Sequence, residues 1–228
     1  MSNRSDHLRT RLARALENYN PQGAHNSLDE AFASLSTDTA LSEVVMPCLQ
    51  ATVARSVWTA SVVTQVEFST SLLENRLLAM ASGWDSGGTP TAVIAHTDAE
   101  HHTLGGIIFG LALRDRGWRI AYLGTTTPAA GCAEVAETTD ARAVVIASRD
   151  PDALAALRPA FQRLGPGRQL VLAGEGATTA TARHLGAELL PRHPVLAARE
   201  LDRRLGAGNR PRTPLLGTRL RGDVHSQL

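Results

Sequence analysis

The residues best suited to chemistry lie in one short stretch, Glu100-His101-His102-Thr103-Leu104-Gly105-Gly106. His102 offers an imidazole nitrogen, the commonest metal-ligating group of proteins. Glu100 can accept the other ring N–H, which would fix the tautomer and make the ligating nitrogen more basic. Gly105 and Gly106 carry no side chain and let a flat, bulky ligand approach the backbone. His101 points elsewhere if His102 ligates, and reads as an ordinary exposed histidine.

Such a turn needs a frame. The apolar run Thr91-Ala92-Val93-Ile94-Ala95 precedes it and an apolar helical stretch ending near Leu113 follows. A strand, a polar turn and a glycine-flanked helix make the first βα unit of an open parallel sheet, whose ligands sit beyond the carboxyl ends of the strands. The pattern then repeats. Strands are expected at 91–96, 118–123, 142–147, 169–173 and 187–190, with helices near 103–116, 128–138, 151–164, 177–185 and 195–205. This is the spacing of a doubly wound, Rossmann-like (flavodoxin-like) sheet in an α/β fold.

Residues 1–82 read differently. Leu8, Leu12 and Leu16 share one helical face, and Asn18-Tyr19-Asn20-Pro21 is a stop. A second helix carries Leu28, Ala31 and Leu35. A third is expected over 37–57, kinked or split at Pro47. A fourth carries Val62, Val66, Leu72, Leu73, Leu77 and Met80. Four helices with short connections predict an up-and-down bundle. The stretch 83–90 (GWDSGGTP) reads as a linker, 91–205 as the sheet domain, and 206–228 as a disordered, Arg-rich tail.

Composition sets the bounds. With 43% hydrophobic and 20% charged residues and a formal net charge of +1, the chain is an ordinary globule with no overall drive toward nucleic acid. Cys48 and Cys132 form neither a CxxC nor a metal spacing, so free thiols in a reducing compartment are expected. No signal peptide and no membrane-length apolar run is apparent, so a cytoplasmic location is expected.

Glu100-x-His102-x-x-Gly105 resembles the cobalamin-binding signature (Asp or Glu)-x-His-x-x-Gly. The resemblance implies that His102 replaces the cofactor's own base beneath cobalt and is the metal ligand. Further landmarks resemble the same family. Tyr122-Leu123-Gly124 with Thr125-Thr126-Thr127-Pro128 is similar to its YLGxxTP segment, which brings Thr127 to the cofactor. Ser148 ends the third strand where the family has a hydroxyl near the buried nucleotide tail. Gly174 and Gly176 resemble its Gly-Gly-x-Gly turn. Ala173 stands in place of the first glycine, and Arg149-Asp150 follows the serine where an apolar residue is usual. Both departures fall at the tail slot.

Within that family, the light-sensing regulators of the CarH/LitR type carry a helical bundle with a Trp and, about ten residues on, Glu-His above the cofactor. This chain has Trp58 and then Glu67-Phe68, about one residue short of that spacing. The resemblance implies an upper-face lid. Phe68 has no lone pair to offer a metal, so the bis-His state of the light sensors is not expected, and Phe68→His is expected to allow it. Only about twenty residues precede the second helix. A DNA-binding domain is therefore not expected here, and the arrangement is similar to stand-alone AerR-type antirepressors.

The expected function is a cobalamin-binding sensor or regulator. Adenosylcobalamin is the first choice of cofactor, with hydroxocobalamin or methylcobalamin as alternatives. It would respond to cofactor state or light and act on transcription through a partner such as a DNA-binding regulator. Homo-oligomerisation is left open, and neither membrane nor direct DNA binding is expected. No nucleophile–base pair marks it as an enzyme. The alternative is a corrinoid carrier subunit of a methyltransferase or mutase system, although the family's carriers follow the motif with Lys or Asn where this chain has Gly106-Ile107-Ile108. A cofactor-free binding module is the third reading.

Overall fold

Leu8, Leu12 and Leu16 recur at helical spacing, and in the computed structural model of this chain all three are buried along one face of α1 (Ser2–Glu17). The structure describes residues 2–54, 59–84, 88–97, 103–125, 128–162, 164–165 and 167–206. Asn20 ends the first turnaround. Its side-chain oxygen accepts the Gly23 N–H at 2.9 Å and caps α2 (Pro21–Ser34), with Pro21 where no N–H is needed. Ser36 caps the next helix in the same way, through the Thr39 N–H at 3.2 Å.

That third helix starts as α3 (Thr37–Thr39), widens into a π-helical segment (Ala40–Val45) and continues as α4 (Met46–Val53). The disturbance expected at Pro47 takes this form. The Met46 N–H reaches back to the Leu41 carbonyl, and the wider turn makes room for a proline ring that clashes with a regular one. α5 (Ala60–Met80), capped by Thr59, completes the four rods, and α1 packs against each of the others.

The second half runs β1 (Thr91–His96), α6 (Leu104–Arg114), β2 (Arg119–Gly124), α7 (Ala129–Thr138) and β3 (Ala141–Ala147). It continues through α8 (Pro151–Ala155), α9 (Arg158–Phe161), β4 (Gln169–Ala173), α10 (Thr179–Leu185), β5 (Glu188–Leu189) and α11 (Pro194–Leu205). All strand pairs are parallel and the order is β2-β1-β3-β4-β5, the doubly wound arrangement expected. One helix was expected over 151–164, and two short ones are found. Pro159 lacks the N–H that would bond the Ala155 carbonyl, so the rod breaks there.

Both faces of the sheet are covered. Ala92 and Ile94 of β1 face one apolar layer, and Val93 and Ala95 face the other. This is why the strand reads as an unbroken apolar run. The first layer is continuous with the helical half, from Leu8 through Leu41 and Leu73 to Leu111 and Leu201. α6 lies at its centre. It packs against α5, α11 and the sheet, which accounts for its being apolar on every side. Trp84, within the stretch read as a linker, is also buried there, its ring against Gly110.

Charged groups seal the joint between the halves. Arg116, just past α6, donates to both oxygens of Asp38 on α3, at 2.9 and 2.5 Å, and Arg199 of α11 adds a third bond at 3.0 Å. Beside them the Trp118 indole N–H donates to Asp202 at 2.8 Å. Among the described residues, no helix is long and apolar enough to cross a membrane.

Candidate functional site

The strand order puts the reversal point between β1 and β3. From β1 the chain leaves through α6 toward β2 on one side, and it enters β3 from α7 on the opposite face. The two connections diverge and leave a crevice at the carboxyl ends of these strands. A cavity of about 220 Å³ fills it. Ile94 and His96 of β1 form its floor with Val145 and Ala147 of β3. Gly105, Gly106 and Phe109 of α6 form one wall, and Pro194 and Ala197 of α11 the other. Leu49 of α4 and Thr70 of α5 reach it from the helical half.

Glycines set its dimensions. A Cβ on Gly105 would meet nothing within 4 Å, so the wall is open there. A Cβ on Gly106 would lie 2.3 Å from Nε2 of His96, so α6 approaches β1 this closely only because residue 106 has no side chain. His96 is 3% exposed, and its ring meets the Tyr122 ring edge-on at 6.1 Å. Tyr122 in turn meets Trp84 at 5.1 Å.

Ser148, expected near a bound tail, does line the cavity, but its hydroxyl is engaged within the protein. It lies 3.0 Å from the Thr97 hydroxyl, accepts the Asp150 N–H at 3.0 Å and donates to the Asp150 carbonyl at 3.2 Å. Gly174 (φ +90°) also lines it. A Cβ there would strike the Ser148 carbonyl oxygen at 2.5 Å. Gly176 lies behind, its N–H donating to that same carbonyl at 2.9 Å. These glycines hold the turns after β3 and β4 in backbone contact.

The first helical turn of α6 is tied to the helical half. Thr103, which is buried, donates through its hydroxyl to the Glu74 carboxylate on α5. Burial pushes the neighbouring Tyr122 phenol up to about 12, against a lowering by Thr103 and with a further push from Glu74. The phenol is therefore neutral throughout the physiological range.

Gly105, Gly106, Ser148 and Gly174 thus meet at one cavity. Glu67 and Phe68 do not line it. Glu67 is exposed, and Phe68 packs its ring on Tyr19 of the α1–α2 turn, centroids 5.1 Å apart. Thr70, two residues on and so roughly on the opposite side of the helix from Phe68, is the α5 residue at the cavity. Trp58, Glu100, His102 and Thr127 lie outside the described residues. Among the described residues no group of three or more His, Cys, Asp and Glu side chains is arranged to hold a metal. Sequence reasoning missed His96, Thr70, Leu49 and Glu74. Only His96 left a signal, a polar residue closing the apolar strand TAVIAH.

Comparison with solved structures finds the same architecture elsewhere. The monomethylamine corrinoid protein of Methanosarcina barkeri superposes with a TM-score of 0.67 at 14% identity, over 88% of this chain and 99% of that one. The match thus takes in bundle and sheet together. Two others are looser. A cobalamin-binding protein from Desulfitobacterium hafniense has a TM-score of 0.48 at 14% identity, over 86% of this chain and 97% of that one. A methanol:cobalamin methyltransferase complex from M. barkeri has 0.46 at 16% identity, over 92% and 83%. No family model and no curated protein matches the chain. At these identities the likeness shows the fold.

Proposed function

We propose that this chain is a corrinoid-binding carrier subunit. It holds a cofactor such as cobalamin with His102 below cobalt and the cofactor's lower base in the cavity at the β1/β3 reversal point. The observation that carries the reading is that cavity, with Gly105, Gly106, Ser148 and Gly174 around it and Leu49 and Thr70 of the helical half closing over it. A cavity of roughly 150 Å³ accommodates benzene. The volume here, about 220 Å³, suits a bicyclic heteroaromatic tail. The whole-chain likeness to a corrinoid protein, helices and sheet together, supports the carrier form of the reading.

Bound cobalt supplies the capacity to accept and give up an alkyl group. The protein's part is different. His102 would ligate the metal, Glu100 would orient that imidazole, Thr103 and Glu74 would fix the turn that bears it, and the helical half would shield the upper face. A carrier needs a catalytic partner protein, and the proposal includes one.

A regulator that acts through a DNA-binding partner is the second reading, favoured by one observation. Glu67 lies one helical turn before Thr70, on the side of α5 that reaches the cavity. Adenosylcobalamin would then be the cofactor, and Trp58 would lie above it.

The test is an absorbance titration with hydroxocobalamin, followed by gel filtration. A spectrum of histidine-ligated, base-off cobalamin that survives the column supports the reading, and free cofactor eluting apart from the protein rejects it. Loading with adenosylcobalamin, in the dark and after green light, separates the two roles. A light-dependent change in elution volume supports the regulator, and an unchanged volume with retained cofactor supports the carrier.

A further inference from the structure

We propose that Arg192 is a specificity-determining residue that binds the phosphodiester of the corrinoid's nucleotide loop, so that the chain takes complete, phosphate-bearing corrinoids in preference to truncated ones. The inference rests on the corrinoid reading above and deepens it, because that reading needs only space for a base and assigns no role to the charges beside it.

The cavity is apolar at one end and charged at the other. Ile94 and Val145, from within the strands, are buried and apolar. Arg149, Glu175 and Arg192 come from the turns that follow β3, β4 and β5, and all three are exposed, so they mark the mouth. Arg149 and Glu175 pair with each other, Nε to Oε2 at 3.3 Å, and their charges cancel. Arg192 makes no hydrogen bond or ion pair among the described residues. Of the other polar side chains at the cavity, Thr70 offers an uncharged hydroxyl, Ser148 is occupied by Thr97 and Asp150, and the His96 ring is engaged within the protein. The mouth therefore presents one uncommitted positive charge.

The backbone holds that charge in place. Arg192 lies in Pro191-Arg192-His193-Pro194, and both prolines line the cavity. Their rings fix φ on either side of the pair, and His193, which precedes a proline, is extended at φ −76° and ψ 120°. A guanidinium on so constrained a turn gives up less freedom on meeting an anion than one on a mobile loop.

A phosphodiester carries a single negative charge on two free oxygens, and the planar guanidinium fork meets such a pair with two parallel bonds. In a complete corrinoid this group lies one ribose away from the lower base. Enclosing it with the base among apolar side chains would be costly. A base seated among the strand residues thus leaves its phosphate to the exposed, charged end. The net single positive charge of Arg149, Glu175 and Arg192 together matches the charge of one diester.

The experiment measures dissociation constants by absorbance titration of the full-length chain with three probes. These are hydroxocobalamin (base and phosphate), cobinamide phosphate (phosphate without base) and cobinamide (neither). The last two isolate the phosphate. The wild type should bind cobinamide phosphate about three- to tenfold more tightly than cobinamide, the range from an exposed ion pair to a charge-assisted hydrogen bond. Arg192→Gln should bring the two within about twofold, chiefly by weakening the phosphate-bearing probe. Arg192→Lys, which keeps the charge without the fork, should retain part of the preference. Thermal melts of both variants verify folding. Equal affinity of the wild type for these two probes, or an undiminished preference in folded Arg192→Gln, overturns the inference while leaving corrinoid binding intact. Failure to bind any of the three probes overturns the corrinoid reading and this inference with it.

Discussion

The hydroxyl of Thr103 donates to the carboxylate of Glu74, joining the residue that follows His102 to the middle of α5. The two are 29 residues apart in sequence and belong to different halves of the protein. The start of α6, next in sequence to the proposed cobalt ligand, is therefore braced by the helices proposed to cover the cofactor. Glu74→Ala should weaken corrinoid affinity about three- to tenfold and lower the histidine-ligated fraction of the spectrum, the effect of losing one charge-assisted hydrogen bond. Thr103→Val should give the same loss, and the double variant little more. Additive losses would show that the bond does not act as a brace.

His102→Ala should cost most of the corrinoid affinity or leave the cofactor ligated by its own base, whereas His101→Ala should do neither. The two variants differ in which imidazole is lost, so absorbance spectra side by side assign the ligand. Equal effects would remove the assignment.

Phe68 lies against Tyr19, with ring planes 56° apart, and not at the cavity. In this geometry Phe68→His should produce no bis-histidine spectrum after green light, contrary to what the sequence pattern alone suggests. It should instead lower stability by about 1 kcal/mol through lost aromatic packing, read from a urea unfolding curve. A bis-histidine spectrum would mean that α5 turns when the cofactor is bound.

Asp38 makes the acid sensitivity of the joint predictable. Burial alone would raise its carboxyl, but the bonds and charges of Arg116 and Arg199 outweigh burial and hold it below the ordinary 3.8. A carboxylate with a depressed folded value binds fewer protons folded than unfolded. Its contribution is complete above the unfolded value, 3.8, and is lost as pH falls through the lower folded value. Asp38→Asn should cost about 2–4 kcal/mol at neutral pH, because it leaves buried Arg116 without its counter-charge. That gap should shrink below pH 3.8. A gap that stays constant into acid would mean the carboxylate charge is not what stabilises the joint.

Sequence by itself determined what depends on near neighbours in the chain. The leucines of α1 at helical spacing, the stop before Pro21 and the apolar run of β1 each reflect one element's own periodicity. Repeated strand–helix units then limit the sheet to a parallel, doubly wound form. Glu100-x-His102-x-x-Gly105 was legible for the same reason, since its residues lie within six consecutive positions of the chain.

Tertiary structure decided what depends on distant chain segments meeting. Gly106 faces His96 because α6 folds back onto β1, and no spacing encodes how near the two come. Phe68 adjoins Glu67 in sequence yet packs on Tyr19, because the packing of α5 against the α1–α2 turn fixes which side of the helix is buried. Arg116 and Arg199 reach Asp38 across 78 and 161 residues. Such contacts follow from how the layers stack around the shared core, an energy that the whole chain gains together and that local pattern does not record.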